Sequence, residues 1–99
     1  MNQISLTAAQ KRSLKSAAHH LKAVVQMGKE GPSQGFVREL DVQLNTHELM
    51  KFRVLNNCLA SREDIEHAIV LAHAVLIQRV GHVWTIFRKR HENSAFPEI

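Results

Sequence analysis

Ninety-nine residues sustain one hydrophobic core, burying roughly 60–68% of the unfolded surface, which excludes a multi-domain reading. Hydrophobic residues at 44% and charged residues at 22% are the proportions of a folded protein and exclude intrinsic disorder; a single cysteine, Cys58, excludes an internal disulfide framework and fits a reducing compartment. Thirteen Lys and Arg against nine Asp and Glu give a net charge of +4, and because Glu92 and Glu98 fall in a short C-terminal tail, residues 1–91 carry +6.

Thr7 and Gln10 have the spacing of a capping box. Leu14, Ala17, Ala18 and Leu21 then recur at helical intervals, which predicts a first helix from about Ala8 to His20. Lys11, Lys15, His19 and Lys22 form a polar stripe on its opposite side, provided the helix persists that far. The N-terminus lacks an apolar stretch behind a basic start, so no signal peptide is expected. Ala23-Val24-Val25-Gln26-Met27 is a β-branched run closed by Gly28, the pattern of a largely buried strand.

Ser33 follows the loop Gly28-Lys29-Glu30-Gly31-Pro32 as the N-cap of a second helix, whose inner stripe is Phe36, Val37, Leu40 and Leu44. From His47 to Leu55 the period changes to two. Met50, Phe52 and Val54 alternate with Lys51 and Arg53, which predicts a strand with one buried face and one basic, solvent-facing one. Asn56-Asn57 marks a turn.

Ser61 with Asp64 caps a third helix, turning Ile65, Ala68, Ile69 and Ala72 inward. Val75–Val80 and Val83–Phe87 are β-rich runs separated by Gly81-His82, as a type II′ hairpin requires. The expected order is α-β-α-β-α-β-β in a single α/β domain with a mixed four-stranded sheet. The strand pairs joined through helices are expected to be parallel with right-handed crossovers, and the last pair antiparallel. Residues 92–99, with Pro97, read as a frayed tail. The longest apolar stretch, Ala68–Ile77, is interrupted by His73 and is too short to span a bilayer.

A positive body of this size points to a polyanion, although composition does not choose between nucleic acid, an acidic protein and no partner. The segment Gly28-Lys29-Glu30-Gly31 is where a backbone comes close to phosphate. Glycines lack the Cβ that blocks approach, Lys29 adds charge, and the next helix opens with outward-pointing amides. KH-type RNA binders clamp a sugar–phosphate backbone with such a GxxG loop. The plain alternative is that Gly28 ends a strand and Gly31-Pro32 opens a helix, and Glu30 offsets the charge of Lys29. Lys15, Lys22, Lys51, Arg53 and Arg88 are the basic residues that would flank the loop once the sheet assembles.

Catalytic and metal chemistry find no support in the spacing. Seven histidines occur, but neither His19-His20 nor the His67/His73 pair has the i, i+4 separation that aims two imidazoles at one metal, and no HExxH or CxxC is present. Cys58 has no base beside it in sequence, and Trp84 reads as a packed side chain.

Four segments carry a resemblance. Leu14-Lys15 is followed by Ala18-His19 and Leu21-Lys22, then Val24-Val25 leads into Gly28-Lys29-Glu30-Gly31. His47-Glu48-Leu49-Met50-Lys51-Phe52-Arg53-Val54 looks like a HELIKVKV strand. Gln78, Gly81 and Ile86-Phe87-Arg88 look like a VQVIGKTLVLYR ending. In this order and spacing, from about Leu6 to Arg88, they resemble the YhbY-like proteins, stand-alone bacterial versions of the CRM (chloroplast RNA splicing and ribosome maturation) domain. The chain departs from the family at Ala23 (often proline), at Arg79 (usually apolar) and at His82 (commonly lysine). His73 stands where glycine usually ends the third helix, so either His73 is left-handed or the helix ends differently.

The resemblance implies a fold similar to the C-terminal domain of bacterial translation initiation factor three. It implies RNA binding through Gly28, Lys29 and Gly31 with Lys15, Lys22, Lys51, Arg53 and Arg88 around them, and association with ribosomal RNA or precursors of the large ribosomal subunit. The sequence-based expectation is a cytoplasmic, non-catalytic RNA-binding domain over residues 1–91, with no cofactor, metal, membrane or small-molecule substrate. The alternative is a basic protein-interaction module that docks an acidic partner.

Overall fold

Three side-chain oxygens open three helices in the computed structural model, which describes residues 5–99. Thr7, Ser33 and Ser61 accept the N–H groups of Gln10, Phe36 and Asp64, and Gln10 and Asp64 return the bond to complete capping boxes. The elements are α1 (Ala8–Ala18), β1 (Ala23–Met27), α2 (Gln34–His47), β2 (Leu49–Val54), α3 (Arg62–Leu71), β3 (Val75–Val80) and β4 (Val83–Phe87). Two boundaries differ from expectation. Helix α1 stops at Ala18, so Lys22 lies beyond it in the loop to β1. Helix α2 runs through His47, and Glu48 alone (φ 60°, ψ −52°) turns the chain into β2.

The sheet order is β1-β2-β4-β3, with β1 parallel to β2 and β4 antiparallel to both its neighbours. The parallel pair expected between β2 and β3 therefore does not form; the hairpin inserts β4 between them. Burial gives the reason. Trp84, Thr85, Ile86 and Phe87 are all buried, which only a central strand permits, whereas β3 exposes Arg79 and Val80 and is suited to an edge. Gly81 has φ +59° and His82 is not left-handed, the combination of the expected type II′ turn. Arg79 lies over the Trp84 ring at 5.4 Å and donates from Nε to the carbonyl of Gly81 at 3.2 Å, so a cation stands where an apolar residue is usual.

Helices α2 and α3 cover one whole face of the sheet. Val25, Met27, Phe36, Leu40, Leu44, Met50, Phe52, Ile69, Trp84 and Ile86 form that core, with Phe52 stacked on Trp84. Helix α1 stands alone on the other face and covers only part of it, where Leu14 and Ala18 pack on Leu49, Ile77 and Phe87. The part of that face around Gln26, Lys51, Arg53 and Gln78 is left open.

His73 adopts φ 59°, answering which of the two helix endings occurs. Its N–H reaches the carbonyl of Val70 at 2.9 Å and that of Ala74 reaches Ile69 at 3.1 Å, the two bonds of a Schellman ending. A side chain in this conformation costs about 1–2 kcal/mol, part of which glycine would return through its more mobile unfolded state. His73→Gly is accordingly expected to stabilise the domain by about 0.5–1 kcal/mol, raising Tm by about 4 °C in thermal unfolding.

The C-terminal residues make contacts with the body of the domain. Buried Glu48 accepts the Arg90 N–H at 2.8 Å, the Ser94 hydroxyl at 2.7 Å and the Ala95 N–H at 2.8 Å. Phe96 packs edge-on against Phe87 at 5.3 Å, and Phe96 and Ile99 extend the smaller core. Residues 90–99 lie against the domain as a strap: a carboxylate taken out of water requires donors, and the tail supplies them.

Candidate nucleic-acid interface

Strand alternation decides what the open half of the sheet displays. In β2, Met50, Phe52 and Val54 turn toward α2 and α3, so Lys51 and Arg53 turn the other way. Arg53 pairs with Gln26 of β1 and Val83 of β4, while Lys51 lies opposite Thr85, itself paired with Gln78 of β3. Lys15, His19 and Lys22, from the end of α1 and the loop after it, form a wall beside these rungs. Together they bound a groove of about 700 Å³.

Four of the eight site residues expected from sequence, Lys15, Lys22, Lys51 and Arg53, line this groove, and no carboxylate does. The ion pairs among the described residues are Arg62–Glu66, Arg88–Asp41 and Arg90–Glu48, so the groove cations are uncompensated. Concentrating like charge on a low-dielectric wall attracts a polyanion at range and holds it by displacing counterions. No Phe, Tyr or Trp side chain lines the groove, and the His19 imidazole is the one ring in its lining, so it offers more grips for phosphate than platforms for stacked bases.

The glycine loop leaves the sheet at the end where Arg53 and Val83 line the groove. Met27 is paired with Val54, the N–H of Leu55 reaches the carbonyl of Met27 at 2.8 Å, and that of Val54 reaches His82 at 2.8 Å. The loop, the Asn56-Asn57 turn and the hairpin tip thus share the sheet end where Arg53 and Val83 line the groove. The Gly31 N–H closes a turn onto the carbonyl of Gly28 at 3.0 Å and that of Ser33 reaches Gly31 at 2.9 Å; the amides of Lys29 and Glu30 remain at the exposed tip.

The two glycines differ. Gly31 has φ +63°, is buried, and a Cβ there would stand 3.4 Å from that of Ala60. Its identity is required by the backbone. Gly28 has no such conformation, and a Cβ there would meet Leu55 Cδ1 at 3.7 Å and Asn57 Oδ1 at 3.9 Å, ordinary contacts. The backbone therefore demands glycine at only one end of the loop.

Arg88 belongs to another place. It follows Phe87, which pairs with Leu49 at the opposite end of β2, and its side chain is only 12% exposed. Nη1 donates to Asp41 Oδ1 at 2.7 Å and to the Ala72 carbonyl at 2.8 Å. Nη2 donates to Asn45 Oδ1 at 2.9 Å and the Asp41 carbonyl at 3.1 Å. It ties the ends of α2 and α3 to β4, and its donors are not free for phosphate. Neighbouring Arg90 donates to the carbonyls of Asn45 and Thr46 at the end of α2, where a cation complements the helix dipole.

Sequence reasoning placed His19 in a polar stripe but not at the site, and it missed Gln26, Gln78 and Thr85 on the groove floor. The strand period carried the signal for the floor; which half of the sheet α1 leaves bare was visible only once β4 was known to be central. Among the described residues no three His, Cys, Asp or Glu side chains are grouped to hold a metal ion, and no helix is long and apolar enough to cross a membrane.

The fold and site define a small α/β domain with a cationic groove on a half-covered sheet and a glycine-flanked loop at the groove's end. The chain belongs to the CRS1 / YhbY (CRM) domain family, whose model matches residues 6–88, as the sequence resemblance implied. It is 35% identical over 89 residues to a Bacillus subtilis protein named "Probable RNA-binding protein YqeI", covering 89% of this chain and 93% of that one. A Haemophilus influenzae protein named "RNA-binding protein" is 36% identical over 89 residues, covering 89% and 90%. The solution structure of a Staphylococcus aureus protein superposes with a TM-score of 0.70 at 31% identity, over 91% of this chain and 95% of that one.

Proposed function

We propose that this protein is a non-catalytic RNA-binding domain that grips the sugar–phosphate backbone along the open sheet groove and at the glycine loop. The observation that carries the reading is the convergence of Lys15, Lys22, Lys51 and Arg53 on one groove free of carboxylates, with Lys29 beyond its end. Relatives in the same family bear the name of RNA-binding proteins, which supports RNA over an acidic protein as the polyanion. Contacts to phosphate position an RNA without reading its bases, so modest base specificity goes with this site.

The site in this reading is Gly28, Lys29, Gly31, Lys15, Lys22, Lys51 and Arg53, with Arg88 left out because its donors are committed. Five cations near one strand predict a log affinity that falls with log salt at a slope of about −3.5 on single-stranded RNA. Fluorescence anisotropy across a salt series measures it, and an affinity indifferent to salt would contradict the reading. Charge reversal at Lys29 should weaken binding more than the same change at Arg62, which is paired with Glu66 on α3.

The cellular partner in this proposal is ribosomal RNA within cytoplasmic precursors of the large ribosomal subunit, as the family resemblance implies. Sedimentation of cell extract should place the protein in precursor fractions, and salt washing should strip it from them. Recovery only in the light fractions, with intact precursors present, would exclude that partner.

A further inference from the structure

Among the seven histidines, one stands in the groove. His19 is the C-cap of α1, exposed, with its ring edge-on to His20 at 5.2 Å. The charged groups that line the groove with it are Lys15 on its own helix, Lys22 on the following loop, and Lys51 and Arg53 on β2; β1, β3 and β4 bring Gln26, Gln78 and Thr85, which carry no charge. His20 is its only other titratable neighbour in the ring contacts, and no carboxylate lines the groove.

The imidazole stands at the carbonyl end of α1 and shares its groove with four cations and no carboxylate. A phosphodiester laid along the groove neutralises the lysines and arginine and offers an anionic oxygen to an imidazolium N–H. The protonated form is then the one that the occupied groove favours. Any group whose proton affinity rises on binding makes the binding itself stronger as pH falls.

We propose that His19 is an RNA-contacting residue that takes up a proton when the groove is filled, so that the protein binds RNA more tightly as the pH drops through the histidine range. The inference rests on the RNA reading above and adds a fifth, conditional cation to the groove. Lysine and arginine side chains as a class hold their charge through that range, and RNA phosphodiesters do not titrate there. Of the seven imidazoles, His19 is the one that lines the groove.

The test is the affinity of the full chain for a Cy5-labelled RNA hairpin with a single-stranded flank, measured by anisotropy at about pH 6 and pH 8 and constant ionic strength. The wild type is expected to bind about five- to tenfold more tightly at the lower pH, and His19→Gln to reduce that ratio to under about twofold. His20→Gln, outside the groove lining, is expected to keep the wild-type ratio. Thermal unfolding of His19→Gln, measured alongside, should match that of the wild type and shows that the variant is folded. A wild-type ratio near one, or a His19→Gln ratio equal to that of the wild type, overturns the proposal while leaving RNA binding intact. Absence of binding at both pH values overturns the RNA reading and this inference together.

Discussion

Glu48→Ala is expected to destabilise the domain by about 3 kcal/mol, a large share of the roughly 5–15 kcal/mol available to a protein of this kind. The Glu48 side chain is fully buried, accepts three hydrogen bonds and lies 3.4 Å from Arg90 Nη2. Truncation leaves the amides of Arg90 and Ala95 without their acceptor and removes the anchor of the C-terminal strap. Phe96 would lose its hold against Phe87, so protease should cut the tail of the variant well before it cuts the core. Denaturant unfolding and limited proteolysis measure the two effects.

The same carboxylate sets an acid limit. Burial raises its pKa, but the Arg90 and Ala95 amides, the Ser94 hydroxyl and the Arg90 charge outweigh that and hold it below the ordinary 4.5. A carboxyl lowered on folding contributes stability above its unfolded pKa and loses it as pH falls through the lower, folded value. Stability should therefore fall as the solution is acidified below about pH 4.5. Glu48→Gln, less stable at neutral pH, should show a flatter acid limb; an acid limb as steep as that of the wild type would contradict this role.

Lys51→Ala combined with Arg53→Ala is expected to reduce RNA affinity about 100-fold at low salt with little change in Tm. Lys51 is half-buried and Arg53 exposed, both facing the groove, and neither makes an ion pair among the described residues. Removing two phosphate contacts should also make the salt slope shallower by about 1.4, so the variant and wild type should converge as salt rises. A parallel displacement of the two salt curves would mean that these side chains act otherwise than through phosphate.

Much of this molecule was legible in its sequence because local chemistry agrees with global packing. Thr7, Ser33 and Ser61 announced their helices, and the alternation in Met50–Val54 placed Lys51 and Arg53 on the open face. The insertion of β4 between β2 and β3 was not legible from strand order, since adjacent strands in sequence favour the simpler pairing; the nearly unbroken apolar run of Val83–Phe87 was the available clue. Arg88 reads in sequence as one of the cations flanking the loop, because charge in a sequence does not reveal that Asp41 and Asn45, more than forty positions away, already use it. The strap was hidden for the same reason. Glu48 read as a strand residue, and only the fold shows that it is buried and facing Ser94 and Ala95.

The most direct test is an amide chemical-shift titration of the isotopically labelled protein with a short RNA hairpin. Shifts should concentrate in the stretch from Lys15 to Lys22, at Gly28–Gly31, and at Gln26, Lys51 and Arg53, while Arg88 and Arg90 at the far end of the sheet stay in place. Perturbations centred on the Arg88–Glu92 end, or spread evenly over the surface, would contradict a groove built from these cations.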